Sequence, residues 1–310
     1  MLKVVDLPDP VPGGGEIAID VTHAAVGLID VFLRQGLYKD RPGLPRPPFV
    51  PGLEVAGTVR ALGDGVTGFA VGERVVSMSG TGSGGYASVH VGPAYLVAPT
   101  EGYDLDPALV VSVVPNAAMA HVAFTRVLHL AEGESVLVHG ALGGFAAAFP
   151  GIARQLGATR VAGTVRAGKL AAAAATRLPY DQIVDSADLP GALGDEKFDV
   201  VIDPVGGVVR TRSLDLMKPG AACWRAGTPA ATGAIRSTAT SSGCGASPCP
   251  GSAPAPTCRP TRSWSARHWR QRSRRPRPDW VTLRSTCFRS PKRSPRTSGW
   301  RAATSTAASY

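Results

Sequence analysis

Between Ser135 and Met217 short apolar runs alternate with longer stretches in which apolar residues recur at helical spacing. Ser135–Val138, Arg160–Thr164, Gln182–Asp185 and Phe198–Asp203 read as strands. The alanine-rich stretch after Gly144, Gly168 to Arg177, and the stretch from Gly207 through Met217 read as helices. Strands alternating with helices over short loops predict parallel βαβ units with right-handed crossovers. Near-continuous apolar strands such as Val200–Ile202 suit a sheet covered on both faces. The expected fold is therefore a doubly wound α/β sheet. Pro150 falls about a turn and a half into the first predicted helix, where it is expected to remove a backbone hydrogen bond and bend it.

Residues 1–100 follow a different rule. Glu16–Val21, Glu54–Val59, Arg74–Ser77 and Tyr86–Val91 are short β-like runs, separated by turn signals such as Pro12-Gly-Gly-Gly15 and Gly82-Ser-Gly-Gly85. This spacing predicts a small β-rich, barrel-like domain. A β domain ahead of a doubly wound one leaves a cleft, where cofactor and substrate commonly meet. The chain length suits two domains. No apolar run long enough to span a membrane and no signal peptide is read from the sequence, so a soluble, cytoplasmic protein is expected.

The candidate chemistry sits where the first strand ends. Gly140-Ala141-Leu142-Gly143-Gly144-Phe145 is a glycine-rich turn between a strand and a helix. Such a turn aims backbone N–H groups and a helix dipole at one point, which suits a pyrophosphate. A doubly wound domain without a nucleotide remains the alternative. After the second strand, Gly163-Thr164-Val165-Arg166 and Lys169 stand where NAD sites place a carboxylate on the ribose. Cations there would neutralise a 2′-phosphate, pointing to NADPH. The other reading makes Arg166 and Lys169 solvated helix ends.

Several further pieces resemble the medium-chain dehydrogenases and reductases, especially the zinc-independent quinone oxidoreductase (zeta-crystallin-like) branch. They are Pro12-Gly-Gly-Gly-Glu16, Ala24-Ala-Val-Gly-Leu-Ile-Asp30, Arg34-Gln-Gly-Leu-Tyr38, Pro51-Gly-Leu-Glu54-Val-Ala-Gly57, Gly68-Phe-Ala-Val-Gly-Glu-Arg74, Gly84-Gly-Tyr86-Ala, Gly133–Gly140 and Asp203-Pro-Val-Gly-Gly207. They run in family order over about residues 10–220. The resemblance implies a GroES-like β-rich catalytic domain over 1–104, then a Rossmann NADPH-binding domain over 105–222 that is incomplete. Zinc-using members carry His where this chain has Leu53, and the first cysteine is Cys223, so no metal is expected. Gly27 and Met119 stand where relatives often have Asn and Thr, and Ala146 replaces a third glycine.

The implied reaction is hydride transfer from NADPH to a quinone or an α,β-unsaturated carbonyl. Tyr38 is the polar group the resemblance brings nearest such a small-molecule substrate; a tyrosine packed under a loop is the alternative. Asp30 is read as holding a loop by hydrogen bonds, and His121 and His139 as core residues. Tyr180, ahead of the third strand, and Val205, in the turn after the fourth, complete the expected cofactor-binding set. A homodimer is expected by resemblance. A non-catalytic nucleotide sensor on the same scaffold is the rival function. Related chains usually begin about one strand earlier, so the start reads as clipped.

Charge changes the picture at the C-terminal end. Residues 1–222 hold 17 basic and 22 acidic residues, whereas 223–310 hold 16 basic residues and a single acid, Asp279. All 5 Cys and all 5 Trp lie in that last stretch, where Ile235, Val281 and Leu283 are the only aliphatics of their kind. One reading makes 223–310 a disordered, basic Arg/Ser/Pro-rich tail able to bind nucleic acid through Arg267–Arg277. The preferred reading is translation in a shifted frame. Taking each third codon base with the next two makes Cys249–Ser265 compatible with SGFSAGAYLPTHPELV, whose apolar periods resemble the C-terminal part of the same family. On that reading the chain is expected to be poorly soluble or inactive, and nucleic-acid binding is not expected of the net-acidic folded part. Sequencing the DNA around codon 221 tests it.

Overall fold

The computed structural model describes residues 2–40, 42–80, 83–225 and 287–289, and the chain divides into two units after Pro115. The first unit is an antiparallel β structure. β1 (Glu16–Ala25) pairs with β2 (Glu54–Leu62), β2 with β3 (Arg74–Met78), and β3 with β5 (Val97–Pro99). β4 (Val89–Pro93) takes Glu16–Asp20 on the other edge of β1, and β11 (Cys287–Arg289) takes His23–Ala25. Ile17, Ile19, Val21, Val55, Val59, Val75 and Val97 meet in one core, so the period-two pattern decides which face is inward. At Gly57 the strands approach so closely that a Cβ would lie 2.0 Å from the Asp20 carbonyl oxygen. Glycine is required there.

This is the antiparallel GroES-like sheet the resemblance implied. The details differ in three places. The fourth predicted strand begins at Val89, because Tyr86–Ser88 form a bend rather than pairing. The strand Val97–Pro99 and the short helix α1 (Leu28–Arg34) carry too few apolar repeats to be read from sequence.

The second unit is a five-stranded parallel sheet in the order β10-β9-β6-β7-β8. Its strands are β6 (Ser135–His139), β7 (Arg160–Val165), β8 (Gln182–Asp185), β9 (Phe198–Asp203) and β10 (Met217–Arg225). Alternate residues face opposite ways and each face is covered. Val136, Val138, Val161, Val200 and Ile202 pack against Phe124, Phe149 and Ile152. Leu137, Ala162, Val184 and Val201 pack against Leu189, Leu193 and Leu216. The helices between the strands are α3 (Phe149–Gln155), α4 (Leu170–Ala174), α5 (Leu189–Leu193) and α6 (Gly207–Leu214). This is the Rossmann-like parallel sheet expected.

Three expectations are corrected. The turn does not open directly into an α-helix that Pro150 then bends. A 3-10 turn, Ala146–Ala148, comes first, and α3 starts at Phe149 with Pro150 in its first turn. There the missing N–H would have had no intrahelical partner, so the proline costs little. The sheet also runs past 222: Ala222 to Arg225 pair in register with Val200 to Asp203. Cys223 faces one core and Trp224 the other, standing in for aliphatics.

The third correction concerns apolar length. α2 (Pro107–Val122), with the π-helical turn Ala123–Val127, forms a 21-residue helix of mean hydropathy 1.6, long and apolar enough to cross a membrane. Ser112, Asn116 and His121 interrupt its apolar run, which hides that length in the sequence. Ala120, Ala123 and Phe124, 0–1% exposed, sit in the core of the parallel-sheet unit. Apart from residues 223–225 and 287–289, the readings of the basic stretch fall outside the described residues.

Candidate nucleotide-binding site

Strand order in the parallel sheet reverses between β6 and β9, so the turns following these two strands flank one crevice. Gly140, at φ +65°, starts the first turn, and a Cβ there would sit 3.3 Å from Val205 Cγ2 of the second. The Ala141 N–H donates to the Thr164 carbonyl at 2.9 Å, and the Gly143 N–H to the Gly140 carbonyl at 2.7 Å. Those bonds fix the loop on its sheet side. The N–H groups of Gly144 and Phe145 have no hydrogen-bond partner among the described residues. Around Gly144 a Cβ would meet nothing within 4 Å. Open space beside unpaired donors at the carboxyl end of a central strand is what a phosphate group requires.

The expected turn residues do not all face that space. The Phe145 ring packs edge-on against Phe149 at 5.1 Å and beside Trp224 at 5.8 Å, leaving its backbone for a ligand. Leu142 leans on the Ala141–Val165–Ala173 cluster. Tyr180 lies beneath the turn. Its hydroxyl donates to the Ala141 carbonyl at 3.2 Å, and burial pushes its phenol up. A Cβ on Gly163 would come within 2.7 Å of Ala141 Cβ and 3.0 Å of the Tyr180 ring. Gly163 is thus the gap into which Tyr180 and the turn settle.

Thr164 is 1% exposed, and its Oγ1 lies 2.9 Å from His139 Nδ1. The other ring nitrogen of His139 is 2.6 Å from Ser213 Oγ on α6. Burial pushes the His139 imidazole down to about 4, with the charge of Asp203 opposing only in part. A neutral imidazole therefore ties the ends of β6 and β7 to α6. At the end of β7 Arg166 is exposed and makes no ion pair among the described residues, with the half-buried Lys169 a 3-10 turn further on.

The second turn is held by Asp203, which is completely buried. Its Oδ1 accepts from the N–H groups of Val205 at 3.0 Å and Gly206 at 2.7 Å, and its Oδ2 from Arg210 Nε. Gly206 and Gly207 both take positive φ, which lets the chain reverse and start α6. Val205 is 45% exposed at the crest. Asp203, Arg210, His139 and Ser213 were not among the expected site residues. Asp203 next to Pro204-Val-Gly-Gly207 was the readable signal; the others meet only through the fold.

In the antiparallel unit Tyr38 is 6% exposed and packs edge-on against Phe32 at 6.4 Å, as a tyrosine packed under a loop would. Asp30 is 4% exposed and accepts from the Gly27 N–H at 2.8 Å, holding the entry to α1. Burial raises its carboxyl above the usual range. Glu54 is pushed up to about 7, first by burial and then by the charge of Asp30.

Comparisons with known proteins agree with this layout. Residues 13–102 match the alcohol dehydrogenase GroES-like domain. The quinone oxidoreductase of Lama guanicoe is 31% identical over 224 residues, covering 69% of this chain and 65% of that protein. The human synaptic vesicle membrane protein VAT-1 homolog-like is 33% identical over 212 residues, covering 68% and 49% respectively. The chain thus spans less than two thirds of the length of these curated relatives. The crystal structure of mycobacterial Rv1454c complexed with NADPH is similar at a TM-score of 0.61 and 31% identity, over 71% of this chain and 68% of that one.

Proposed function

Because the chain belongs to the medium-chain dehydrogenase/reductase superfamily, in its quinone oxidoreductase/VAT-1 branch, we propose that it is an NADPH-dependent oxidoreductase passing hydride to a quinone or an α,β-unsaturated carbonyl. One observation carries the reading. The Gly140–Phe145 turn presents unpaired N–H groups to open space at the strand-order reversal, and Arg166 stands at the end of β7. The residues fit a dinucleotide. Gly144 and Phe145 would donate to the pyrophosphate, with Gly140 keeping the crevice narrow against Val205. Arg166, with Lys169, would pair with a 2′-phosphate, which a carboxylate in that position would repel. Bound there, NADPH supplies the hydride. Tyr180, Gly163, Asp203 and His139 hold the two turns so that the donors need no rearrangement on binding.

Replacing Arg166 and Lys169 together with alanine is expected to weaken NADPH binding about 10- to 100-fold and to leave NADH binding unchanged. Titration of nicotinamide fluorescence reads both. Equal loss for the two nucleotides, or none, would contradict the assignment of the 2′-phosphate. Oxidation of NADPH by a panel of quinones and enones tests the reaction itself. Binding without turnover across the panel would favour the nucleotide sensor.

A further inference from the structure

We propose that His139 is a positioning residue for the nucleotide site, acting through a one-way run of hydrogen bonds from Thr164 through its ring to Ser213 and on to the Val209 carbonyl. His139, Thr164 and Ser213 are all almost completely buried. His139 Nδ1 lies 2.9 Å from Thr164 Oγ1, and its Nε2 lies 2.6 Å from Ser213 Oγ. The Ser213 hydroxyl donates in turn to the Val209 carbonyl, one helical turn back, at 2.7 Å.

Counting protons gives the run its direction. A neutral imidazole carries one N–H and each hydroxyl one O–H, so three donors need acceptors. With the ring proton on Nε2, Thr164 donates to Nδ1, the ring to Ser213 Oγ, and Ser213 to Val209. Every donor is used. With the proton on Nδ1, Ser213 has to turn towards Nε2, and Nδ1–H points at Thr164 Oγ1. The Thr164 hydroxyl proton then has no acceptor among the described residues. Stranding a buried donor disfavours that order about 10-fold or more. The same count removes a nucleophilic role for Ser213. Its proton points away from the ring, and both Asp203 oxygens are occupied by the Val205 and Gly206 N–H groups and by Arg210.

The run joins the two turns of the crevice. The Thr164 carbonyl accepts from the Ala141 N–H at 2.9 Å, so one residue holds the Gly140–Phe145 turn by its backbone and His139 by its side chain. Ser213 lies near the end of α6, whose first residue, Gly207, closes the Pro204–Gly207 turn. Apolar side chains could fill the same space, but they would not fix α6 against the ends of β6 and β7. Directional bonds do.

The full chain has 6 histidines, so 15N-histidine labelling gives few ring signals, and His139→Leu identifies the relevant one. Its Nε2 is expected to carry the proton and Nδ1 to be bare. A proton on Nδ1, or an even mixture, would overturn the proposal. The direction also ranks two substitutions. Ser213→Ala strands a ring N–H, whereas Thr164→Val keeps the shape and strands only an acceptor. Exchange of the Ala141 amide is expected to speed up about 10-fold in Ser213→Ala and about 3-fold or less in Thr164→Val. Leu137, in the middle of β6, should follow in neither. The opposite ranking, or Leu137 changing in step with Ala141, would overturn the proposal. These readouts need no nucleotide. The affinity readout rests on the proposed function: Ser213→Ala should weaken NADPH and NADH alike, about 5- to 10-fold. Unchanged affinity would overturn the positioning role. An unaltered chain that binds neither nucleotide would instead overturn the proposed function, and the ring proton and the exchange ranking would still decide the direction of the run.

Discussion

Asp203→Ala is expected to destabilise the parallel-sheet unit by about 3–5 kcal/mol and to weaken NADPH binding at least about tenfold. The carboxylate is completely buried at the end of β9 and satisfies three donors: the N–H groups of Val205 and Gly206 and the Arg210 guanidinium. Truncation strands all three. Arg210, about 20% exposed, is left with a charge that neither water nor a partner neutralises well. The two freed N–H groups unpin the Pro204–Gly207 turn, whose Val205 forms one wall of the crevice opposite Gly140. Asp203→Asn should be milder, because the amide oxygen still accepts from the turn. Chemical denaturation followed by circular dichroism measures the first effect, and nucleotide titration the second. A loss below about 1 kcal/mol in the alanine variant would mean that the turn is held by something other than this carboxylate.

The parts of this site that belong to a local run were open to reading from sequence. A strand ending in Gly140 and a turn with Gly143 and Gly144 announce themselves, because a positive φ and a loop without side chains select glycine wherever they occur. The central strands β6 and β9 were legible for a similar reason: the sheet is covered on both faces there, and that leaves the aliphatic runs Val136–Val138 and Val200–Ile202. β10 was not, since its inward positions carry Ala222, Cys223 and Trp224 rather than aliphatics, at the point where composition changes.

The start of α3 was misjudged because Ala146–Ala148 is compatible with either 3-10 or α geometry. The position of Pro150 decides it, by tolerating a first turn and not an interior one. Long-range partners left no mark at all. Tyr180 lies 39 residues from the carbonyl it supports, and His139 lies 74 from Ser213. Nothing in the spacing of such residues reveals the contact. Tyr180 was attached to the cofactor set, and its place is one layer further in, where it steadies the turn.

That layer can be tested without touching the crevice. Gly163→Val is expected to cost about 3 kcal/mol of stability and about 100-fold in nucleotide affinity. The position is on β7, with the strand's backbone pairing intact on both sides, so valine suits it locally. The conflict is tertiary. The first added carbon already falls 2.7 Å from Ala141 Cβ and 3.0 Å from the Tyr180 ring, and two more methyl groups cannot be placed in the same gap. Either Tyr180 swings out, abandoning the Ala141 carbonyl, or the turn lifts from β7 and breaks the Ala141–Thr164 hydrogen bond. Both outcomes displace Gly144 and Phe145, the donors aimed at the pyrophosphate. The double variant Gly163→Ala with Tyr180→Phe separates the causes: losing the hydroxyl alone should cost about 1 kcal/mol, and the alanine should add a further 1–3. If Gly163→Val bound NADPH as tightly as the unaltered chain, the Gly140–Phe145 turn would not be where the phosphates sit.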